Sequence, residues 1–551
     1  MAAPATTLPS TAASPGANSR WPSIAELWTF LAVGLPALAS LLVPMPAVDL
    51  AYQLRAGAEI LAGDGIPTVD TWTFTVAGTP WLDQQWGAQV LLAAVFQAAG
   101  WTGLAILRAA LVGLTFGLVL AAVQSAWSLA SVRAGGSAIA SSARTATLIV
   151  LGSFAVAAPA LALRPQLFGI ALFAATMVIL AQRATHPRRL WLIPVIAAAW
   201  ANLHGSFPLV IVLVGLAWLD EVALLREPIF AGQPRRRLPA RLLGSTGLAL
   251  IGAIAALATL ANPFGIDVWQ YISNLARNPE ITNQVSEWRP PSPLDPSGAV
   301  FYLSLAVVLG VLVFRLRNDR RRPPARFFAP IVTVLVFGIL GVITGRGLAW
   351  WALAAPVAMV ALQPGLRLAD VSVPGVPTLR ARTAREASAI EGRRSPLSAL
   401  VIALLGVVAV MLLPVWRPLG QAGVPAGVLS HAPQGIAAEL RRLDATGVVK
   451  RTNPRVWNPQ SWGSWLEWAV PNMHVAVDSR IELFPPELWA DSNQLASGAG
   501  ESLAILDRRA VDVVVLTVEQ EGRLGPMLEG AHDWSRIYAD GEGTIWMRAT
   551  R

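Results

Sequence analysis

The chain contains no cysteine, a single lysine (Lys450) and only 14% charged residues among 551. Without cysteine it has no disulfide framework, no thiolate nucleophile and no cysteine-ligated metal site. Soluble domains carry about 25% charged residues, whereas 54% of this chain is hydrophobic. The scarcity of charge therefore argues against a soluble protein. A basic charge carried almost wholly by arginine is typical of a GC-rich bacterial genome.

Repeated apolar runs take the place of the missing charge. About 20 helical residues cross the roughly 30 Å of a bilayer core, so each run predicts a transmembrane helix. The predicted spans are 24–46, 102–123, 145–163, 167–182, 190–203, 207–219, 242–261, 299–314, 328–344, 348–362 and 397–413. We thus expect a polytopic α-helical membrane protein with about 11 spans. The short pair at 190–203 and 207–219 forms either two spans or one re-entrant hairpin, which needs protein or water around its turn.

Arginine is unevenly distributed over the connecting loops. Loops 183–189, 235–241 and 315–326 are rich in arginine, whereas loops 48–101 and 263–298 are long and acidic. Arginine-rich loops stay on the cytoplasmic side, so the N-terminus is predicted to be cytoplasmic and the C-terminal region extracytoplasmic. The net charge of +9 lies in short loops, which indicates no nucleic-acid partner.

The chain divides into three predicted regions. Residues 1–22, rich in Ala, Pro, Ser and Thr, are expected to be disordered, and the run after them is too long for a cleavable signal peptide. Residues 23–413 form the transmembrane domain, in which 86–99 is expected to be a helix too short to span. Residues 414–551 alternate helical and strand patterns ("PQGIAAELRRLDATG", "HVAVDSR", "ESLAILDRRA", "VDVVVLT"), end in a probable hairpin, "WSRIYADGEGTIWMRA", and predict an α/β domain.

Asp49 stands where the first apolar run ends. "DLAYQLRAGAEILAGDG" has the pattern of a helix with Asp49 at its N-cap and glycines at its end, lying along the outer membrane interface. One interpretation is that Asp49 only caps this helix, which is worth about 1 kcal/mol. The other is that a carboxylate at the membrane surface acts as a general base. The residues alone favour the cap.

Four arginines interrupt the predicted outer side, where the positive-inside bias should deplete them. They are Arg55, Arg108, Arg164 in "LRPQLFG" and Arg346 in "TGRGLAWW". Arginine binds phosphate through a bidentate fork, so the four predict a phosphate-bearing ligand. The alternative is that they contact ordinary lipid phosphates.

Three further groups are candidates for ligand contacts. In "WANLHGSF", Asn202 and His204 lie at membrane depth, where polar groups are expensive; they either bind a ligand or satisfy backbone groups at the turn. In the second long loop, Glu287 and Trp288 suit a sugar, although a tryptophan there is also typical of the membrane interface. In "VDSRIELF", Asp478 and Arg480 follow a probable strand, where ligand sites of α/β folds lie, or form an ordinary surface ion cluster.

The chain resembles the GT-C superfamily of multispanning membrane glycosyltransferases, and more closely a poorly characterised bacterial family related to it. The matching stretches run in order along nearly the whole chain: "DLAYQLRAGAEILAGDGIPTVDTWTFTVAGTPWLDQQW", "LRPQLFG", "WANLHGSF", "NPFG", "SEWRPP", "GRGLAWWALAAP" and "WNPQSWGSWLEWAVPNMHVAVDSRIELF". The resemblance implies a polyprenyl-phosphate-linked sugar as donor, a glycan or lipid acceptor of the cell envelope, and a plasma-membrane location.

The resemblance also implies that a carboxylate of the first outer loop is the base or a metal ligand, and Asp49 occupies that place. The paired acid of many members is absent, since Val48 precedes Asp49, and the aromatic residue and histidine of related sequences are here Tyr52 and Gln53. A divalent metal is therefore possible but no metal ligand is assigned. Two alternatives stay open: a transporter or flippase of lipid-linked glycan, and a non-catalytic envelope assembly protein.

Overall fold

The computed structural model describes residues 20–133, 142–225, 238–318, 327–362, 389–420, 422–448 and 453–549. The expected disorder of the N-terminus falls almost entirely outside these residues. So do most of the arginines in the loops 235–241 and 315–326.

The described residues up to position 411 are mainly helical. Their elements are α1 (Ile24–Leu42), β1 (Met45–Pro46), α2 (Ala47–Ala62), α3 (Trp86–Arg133), α4 (Ala143–Ala157), α5 (Pro165–Ala181), α6 (Leu192–Leu203), α7 (Leu209–Leu225), α8 (Leu238–Ala258), α9 (Asp267–Arg277), α10 (Pro279–Gln284), α11 (Pro296–Asn318), α12 (Phe328–Ile343), α13 (Gly347–Ala361) and α14 (Pro396–Met411). Among the described residues, α1, α3, α4 with the turn after it, and α11 are long and apolar enough to cross a membrane, and five shorter apolar helices accompany them. The chain is a membrane protein, while the total of 11 spans stays a prediction.

Helix α3 bends at Gly100. The backbone of Gly100 has φ 56° and ψ −149°, a region that glycine enters without steric penalty. The bend separates residues 86–99, predicted to be a helix that does not span, from the predicted span that begins at Thr102. The helix 86–99 is present, and whether it stays outside the bilayer remains a prediction.

Contacts between helix ends divide the bundle into two sides. On one side Arg183 at the end of α5 pairs with Asp220 and Glu221 at the end of α7. On the other side Arg108 donates to the carbonyl oxygens of Val43 and Leu161, which follow α1 and α4. The ends of α1 and α4 thus lie near each other, as do the ends of α5 and α7, while the orientation of the spans stays a prediction.

The C-terminal region is an α/β layer. It contains β2 (Leu429–Ser430), α15 (Gln434–Thr446), β3 (Arg455–Trp457), α16 (Gln460–Ala469), β4 (His474–Val475), α17 (Pro486–Ser497), α18 (Ser502–Arg508), β5 (Val513–Thr517), α19 (Val518–Gly530), β6 (Trp534–Ala539) and β7 (Gly543–Arg548). The sheet order is β4-β3-β5-β7-β6, parallel from β4 to β5 and antiparallel beyond. The predicted helices, strands and final hairpin are present. Five elements were not predicted: β2, β3, α16, α17 and α19.

The C-terminal region packs directly on the loop 48–101, the first outer loop of the predicted topology. β1 pairs with β2, with Met45 opposite Leu429, and the amide of Phe74 donates to the carbonyl of Val475 at 3.1 Å. Trp468 of α16 packs edge-on against Phe96 of α3 with ring centroids 5.7 Å apart. The site described below lies where these two parts meet.

Helix α2 differs from its prediction in two ways. It begins at Ala47, so Asp49 lies inside its first turn, and Pro46 at the N-cap gives no side-chain hydrogen bond. Asp49 is therefore not a capping residue. The apolar side of α2, including Leu50 and Leu54, is buried against α3 and α16 rather than resting on the membrane surface. The predicted glycine end is correct, since Gly63 closes the helix with φ 100°.

Candidate active site

Arg164 joins three separate parts of the chain. It precedes Pro165 at the first position of α5; a residue before proline is extended, so its side chain leaves the helix axis. Its Nη1 lies 3.1 Å from Asp49 Oδ2, and its Nη2 lies 2.8 Å from both carboxylate oxygens of Glu287. Burial alone would lower the pKa of Arg164, but the charges of Glu287 and Asp49 outweigh it, so the pKa is raised.

Arg346 approaches the same carboxylate from the loop between α12 and α13. Its backbone N–H donates to the Glu287 carbonyl at 2.9 Å, and its Nε lies 3.6 Å from Glu287 Oε2. The guanidinium lies over the ring of Trp288, 4.7 Å from the centroid. Burial, and then the positive charge of Arg164, lower the pKa of Arg346. Its two Nη atoms make no hydrogen bond within the described residues, which leaves both as donors for an anion.

A polar cavity of about 100 Å³ lies beside these groups. Side chains from α2, α5, the α6–α7 turn, the second outer loop, Arg346 and the C-terminal region meet around it. The lining residues are Asp49, Tyr52, Gln53, Gln85, Arg164, Pro165, Gln166, His204, Tyr271, Leu275, Ile281, Val285, Trp288, Arg346, Ser479, Arg480, Ile481 and Glu482. Six residues proposed from the sequence as catalytic, phosphate-binding or substrate-binding share this cavity: Asp49, Tyr52, Arg164, His204, Trp288 and Arg346.

Asp49 presents one oxygen to this cavity. Its Oδ2 is held by Arg164, whereas Oδ1 has no hydrogen-bond partner within the described residues. The side chain is 35% exposed. Asp49 is therefore fixed in direction by the ion pair and still open to a ligand.

His204 is neutral and oriented. Its Nδ1 accepts a hydrogen bond from the backbone N–H of Ser206 at 3.1 Å and lies 2.7 Å from the Ser206 hydroxyl. Burial, and then the charges of Arg346 and Arg164, lower the pKa of His204 to about 3. Because Nδ1 accepts, the proton of the neutral ring resides on Nε2, which is then a donor for a ligand.

Arg480 brings the C-terminal region into the cavity wall. It is 2% exposed. Its Nη2 lies 2.6 Å from Asp70 of the first outer loop, and its Nε lies 2.9 Å from Asp478. The rings of Trp72 and Trp81 each lie 4.5 Å from the guanidinium carbon. The surface ion cluster considered above for Asp478 and Arg480 is wrong, because both side chains are buried at the contact between the two parts of the protein.

A third carboxyl, Glu467, faces this pair. Burial, and then the charge of Asp478, raise the pKa of Glu467 well above its usual range. For Asp478, burial acts in the same direction, but the charge of Arg480 outweighs it and lowers the pKa. The pKa values of the two carboxyl groups are thus shifted in opposite directions, and the Arg480 guanidinium lies against both of them.

Three predicted ligand contacts belong to the scaffold instead. Arg55 pairs with Glu59 at 2.9 Å and donates to the Glu467 carbonyl. Arg108 is occupied by two carbonyl oxygens, as described above. Asn202 donates to two carbonyl oxygens and accepts from Trp86 Nε1 at 3.0 Å. None of the three lines the cavity, so we withdraw them as ligand contacts. Glu287 acts through Arg164 and Arg346 rather than lining the cavity itself.

Sequence reasoning missed several cavity residues. Gln53 is buried and donates to Gln85 at 3.0 Å, and Tyr271 donates to Glu482 at 3.0 Å. No spacing along the chain connects these residues. Within the described residues, no three histidine or acidic side chains are grouped to hold a metal ion, so no ligand set is assigned to the divalent metal that the resemblance allowed.

No family model and no curated protein matches the sequence. The fold is similar to the oligosaccharyltransferase of Archaeoglobus fulgidus. Its apo crystal structure matches with a TM-score of 0.53 at 11% identity over 96% of this chain and 74% of that chain. A crystal structure of the same protein, tethered by a disulfide to an acceptor peptide with the NVT sequon, matches with a TM-score of 0.50 at 12% identity over the same shares.

The similarity concerns the fold, and the superfamily that the sequence resembles stays a prediction. Identity this low extends to the fold alone. The closer resemblance to one bacterial family stays a prediction.

Proposed function

We propose that the protein is a membrane glycosyltransferase that moves a sugar from a polyprenyl-phosphate donor to a hydroxyl of a cell-envelope acceptor at the extracytoplasmic face. The single observation that carries the proposal is the cavity in which Arg164, Arg346 and Asp49 meet. The fold shared with an oligosaccharyltransferase supports the same class of reaction.

Arg346 is the first candidate for the donor phosphate. Its Nη atoms have no partner within the described residues, and burial and then the positive charge of Arg164 lower its pKa. A phosphate facing it would receive two parallel N–H···O bonds. Arg164, already held by two carboxylates, contributes its charge and fixes Glu287, which in turn positions Arg346.

The reaction is a single displacement at the anomeric carbon. Asp49 Oδ1 takes the proton of the acceptor hydroxyl, and the hydroxyl oxygen forms the new bond to C1. The bond from C1 to the phosphate oxygen breaks, and its electron pair stays on the phosphate. Arg346 and Arg164 stabilise the charge that develops there. His204 Nε2–H is a further donor, either for a phosphate oxygen or for a sugar hydroxyl.

Binding of decaprenyl phosphate to the full chain in lipid nanodiscs tests the phosphate site. A hydrogen-bonded charge contributes about 1.5–3 kcal/mol, so Arg346→Gln should weaken binding by about 10- to 100-fold. Arg346→Lys should restore part of it, because a point charge lacks the bidentate fork. Arg523→Gln, which removes an exposed ion pair to Glu519 far along the C-terminal region, is the matched control.

If Arg346→Gln bound decaprenyl phosphate with wild-type affinity, the assignment of the phosphate site would be refuted. Sugar transfer from radiolabelled polyprenyl-phosphate donors into envelope extract then tests the reaction. A purified protein that binds the lipid and moves it between vesicle leaflets without transfer would favour the transporter. Binding of envelope glycan without either activity would favour the assembly protein.

A further inference from the structure

A second cavity lies directly beside the first. It measures about 430 Å³ and is bounded by the first outer loop, α9 and the residues after β4. Tyr271, Leu275 and Glu482 line both cavities. The hydrogen bond from Tyr271 Oη to Glu482 Oε1, 3.0 Å long, therefore stands at the boundary between them.

The lining of this second cavity, the outer cleft, combines flat apolar surfaces with uncharged polar groups. Trp81, Phe264 and Leu82 supply the apolar part, and Thr68, Asn274 and Asn278 lie among them. Asn278 uses its Oδ1 to cap α10, so its NH₂ group remains a donor. Asn274 is exposed and has no hydrogen bond within the described residues.

Charge is scarce in the cleft. Glu482 is the single charged side chain among the lining residues. Burial raises the pKa of Glu482, against the hydrogen bond from Tyr271. A carboxyl can exchange a hydrogen bond with a neutral hydroxyl in either protonation state.

We propose that the outer cleft binds a neutral sugar, which is the acceptor of the reaction. A pyranose ring has apolar C–H faces that match the aromatic walls, and hydroxyl edges that match Asn274, Asn278 and Glu482. A hydrocarbon chain would cover these polar groups without giving them hydrogen bonds, which is unfavourable for each group that it buries. The acceptor role rests on the proposed function, whereas sugar binding in the cleft does not.

Glu482 lies between the outer cleft and the first cavity, because it lines both. A hydroxyl held by Glu482 on the cleft side lies at the wall that Glu482 and Tyr271 share with the cavity of Asp49 and Arg346. Donor and acceptor thus approach from different cavities, with Tyr271 and Glu482 at their boundary. Glu482 is a positioning residue here, while Asp49 remains the base.

Filling the cleft with an indole tests the proposal without touching the phosphate site. Asn274→Trp lies on α9 and lines only the cleft. Ala276→Trp, exposed on the other side of the same helix, is the matched control. The full chain in nanodiscs is examined by saturation-transfer NMR with methyl glucoside, methyl mannoside and methyl galactoside, and by decaprenyl phosphate binding.

We expect at least one glycoside to give a signal in wild type and Ala276→Trp that falls at least fivefold in Asn274→Trp, with decaprenyl phosphate binding unchanged in all three. Signals equal in Asn274→Trp and wild type would overturn the proposal, as would no glycoside signal from any protein. Signals from short peptides but from no glycoside would also overturn it. If the wild type did not bind decaprenyl phosphate, the proposed phosphate site would be refuted, whereas sugar binding in the outer cleft would not be affected.

Discussion

Replacing Arg480 by glutamine should loosen the C-terminal region from the first outer loop. The guanidinium is almost fully buried, lies 2.6 Å from Asp70 and 2.9 Å from Asp478, and is sandwiched near two tryptophan rings. Removing one partner of a buried ion pair costs about 3–5 kcal/mol, because the other charges stay buried without compensation. A change of 1 kcal/mol moves the unfolding midpoint of a domain by about 2–4 °C, so the midpoint should fall by on the order of 10 °C.

The loss of stability in Arg480→Gln should depend on pH in a defined direction. In the wild type the pKa of Asp478 is lowered, so its ionised form adds stability above the unfolded pKa of about 3.9, and this is lost as pH falls through the folded value. In Arg480→Gln, burial without the guanidinium raises the pKa of Asp478 instead. The variant then loses stability as pH rises above about 4, and its deficit relative to wild type should widen towards pH 7.

Thermal unfolding of the full chain in nanodiscs and limited proteolysis of the outer loop measure the effect. Arg508→Gln is the control, because its pair with Asp491 leaves Arg508 60% exposed and such pairs contribute about 0–1 kcal/mol. Arg480→Gln combined with Asp478→Asn should recover part of the loss. A wild-type midpoint in Arg480→Gln, or no recovery in the double variant, would refute the account of the cluster.

Three further outcomes are expected. Asp49→Asn should cut sugar transfer about 100-fold, whereas Asp64→Asn in the exposed turn after α2 should leave transfer unchanged. Full transfer by Asp49→Asn would dismiss Asp49 as the base. Gly57→Ala should abolish monodisperse expression, because its Cβ would lie 2.1 Å from the Gln89 carbonyl oxygen, while Gly215→Ala meets nothing within 4 Å and should express normally. Burial raises the pKa of Asp83 to about 7, so the folded state binds the proton more tightly than the unfolded state. The stability of the wild type should therefore fall as pH rises from about 4 to 7. Asp83→Asn should flatten this dependence of stability on pH, and an equal dependence in both proteins would contradict the assignment.

The error over Asp49 shows where local patterns mislead. An aspartate before a helical run is the usual sign of an N-cap, yet the helix starts two residues earlier. Met45 donates to the carbonyl of Val428, and β1 pairs with β2. That pairing holds the chain extended up to Pro46 and lets the helix begin at once. The strand partner lies nearly 400 positions away, so no window around Asp49 contains it.

The outer arginines divide for the same kind of reason. Arg55, Arg108, Arg164 and Arg346 look equivalent in sequence, because each is a cation where few are expected. Carbonyl oxygens and a neighbouring glutamate occupy Arg55 and Arg108, whereas Arg164 and Arg346 share Glu287 from another loop. Only the partners distinguish a structural guanidinium from one that is open to a ligand.

The sequence by itself determined that this is a helical membrane protein, roughly where its apolar helices run, and that a smaller α/β region follows them. These properties depend on the hydrophobicity of consecutive residues and on periods of two and 3.6, which any short window contains. The tertiary structure alone decided that Arg480 and Glu482 of the C-terminal region complete the cavity begun by Asp49 and Arg164. Contacts between such distant positions arise from packing of whole elements, and packing leaves no periodic signal in a single chain.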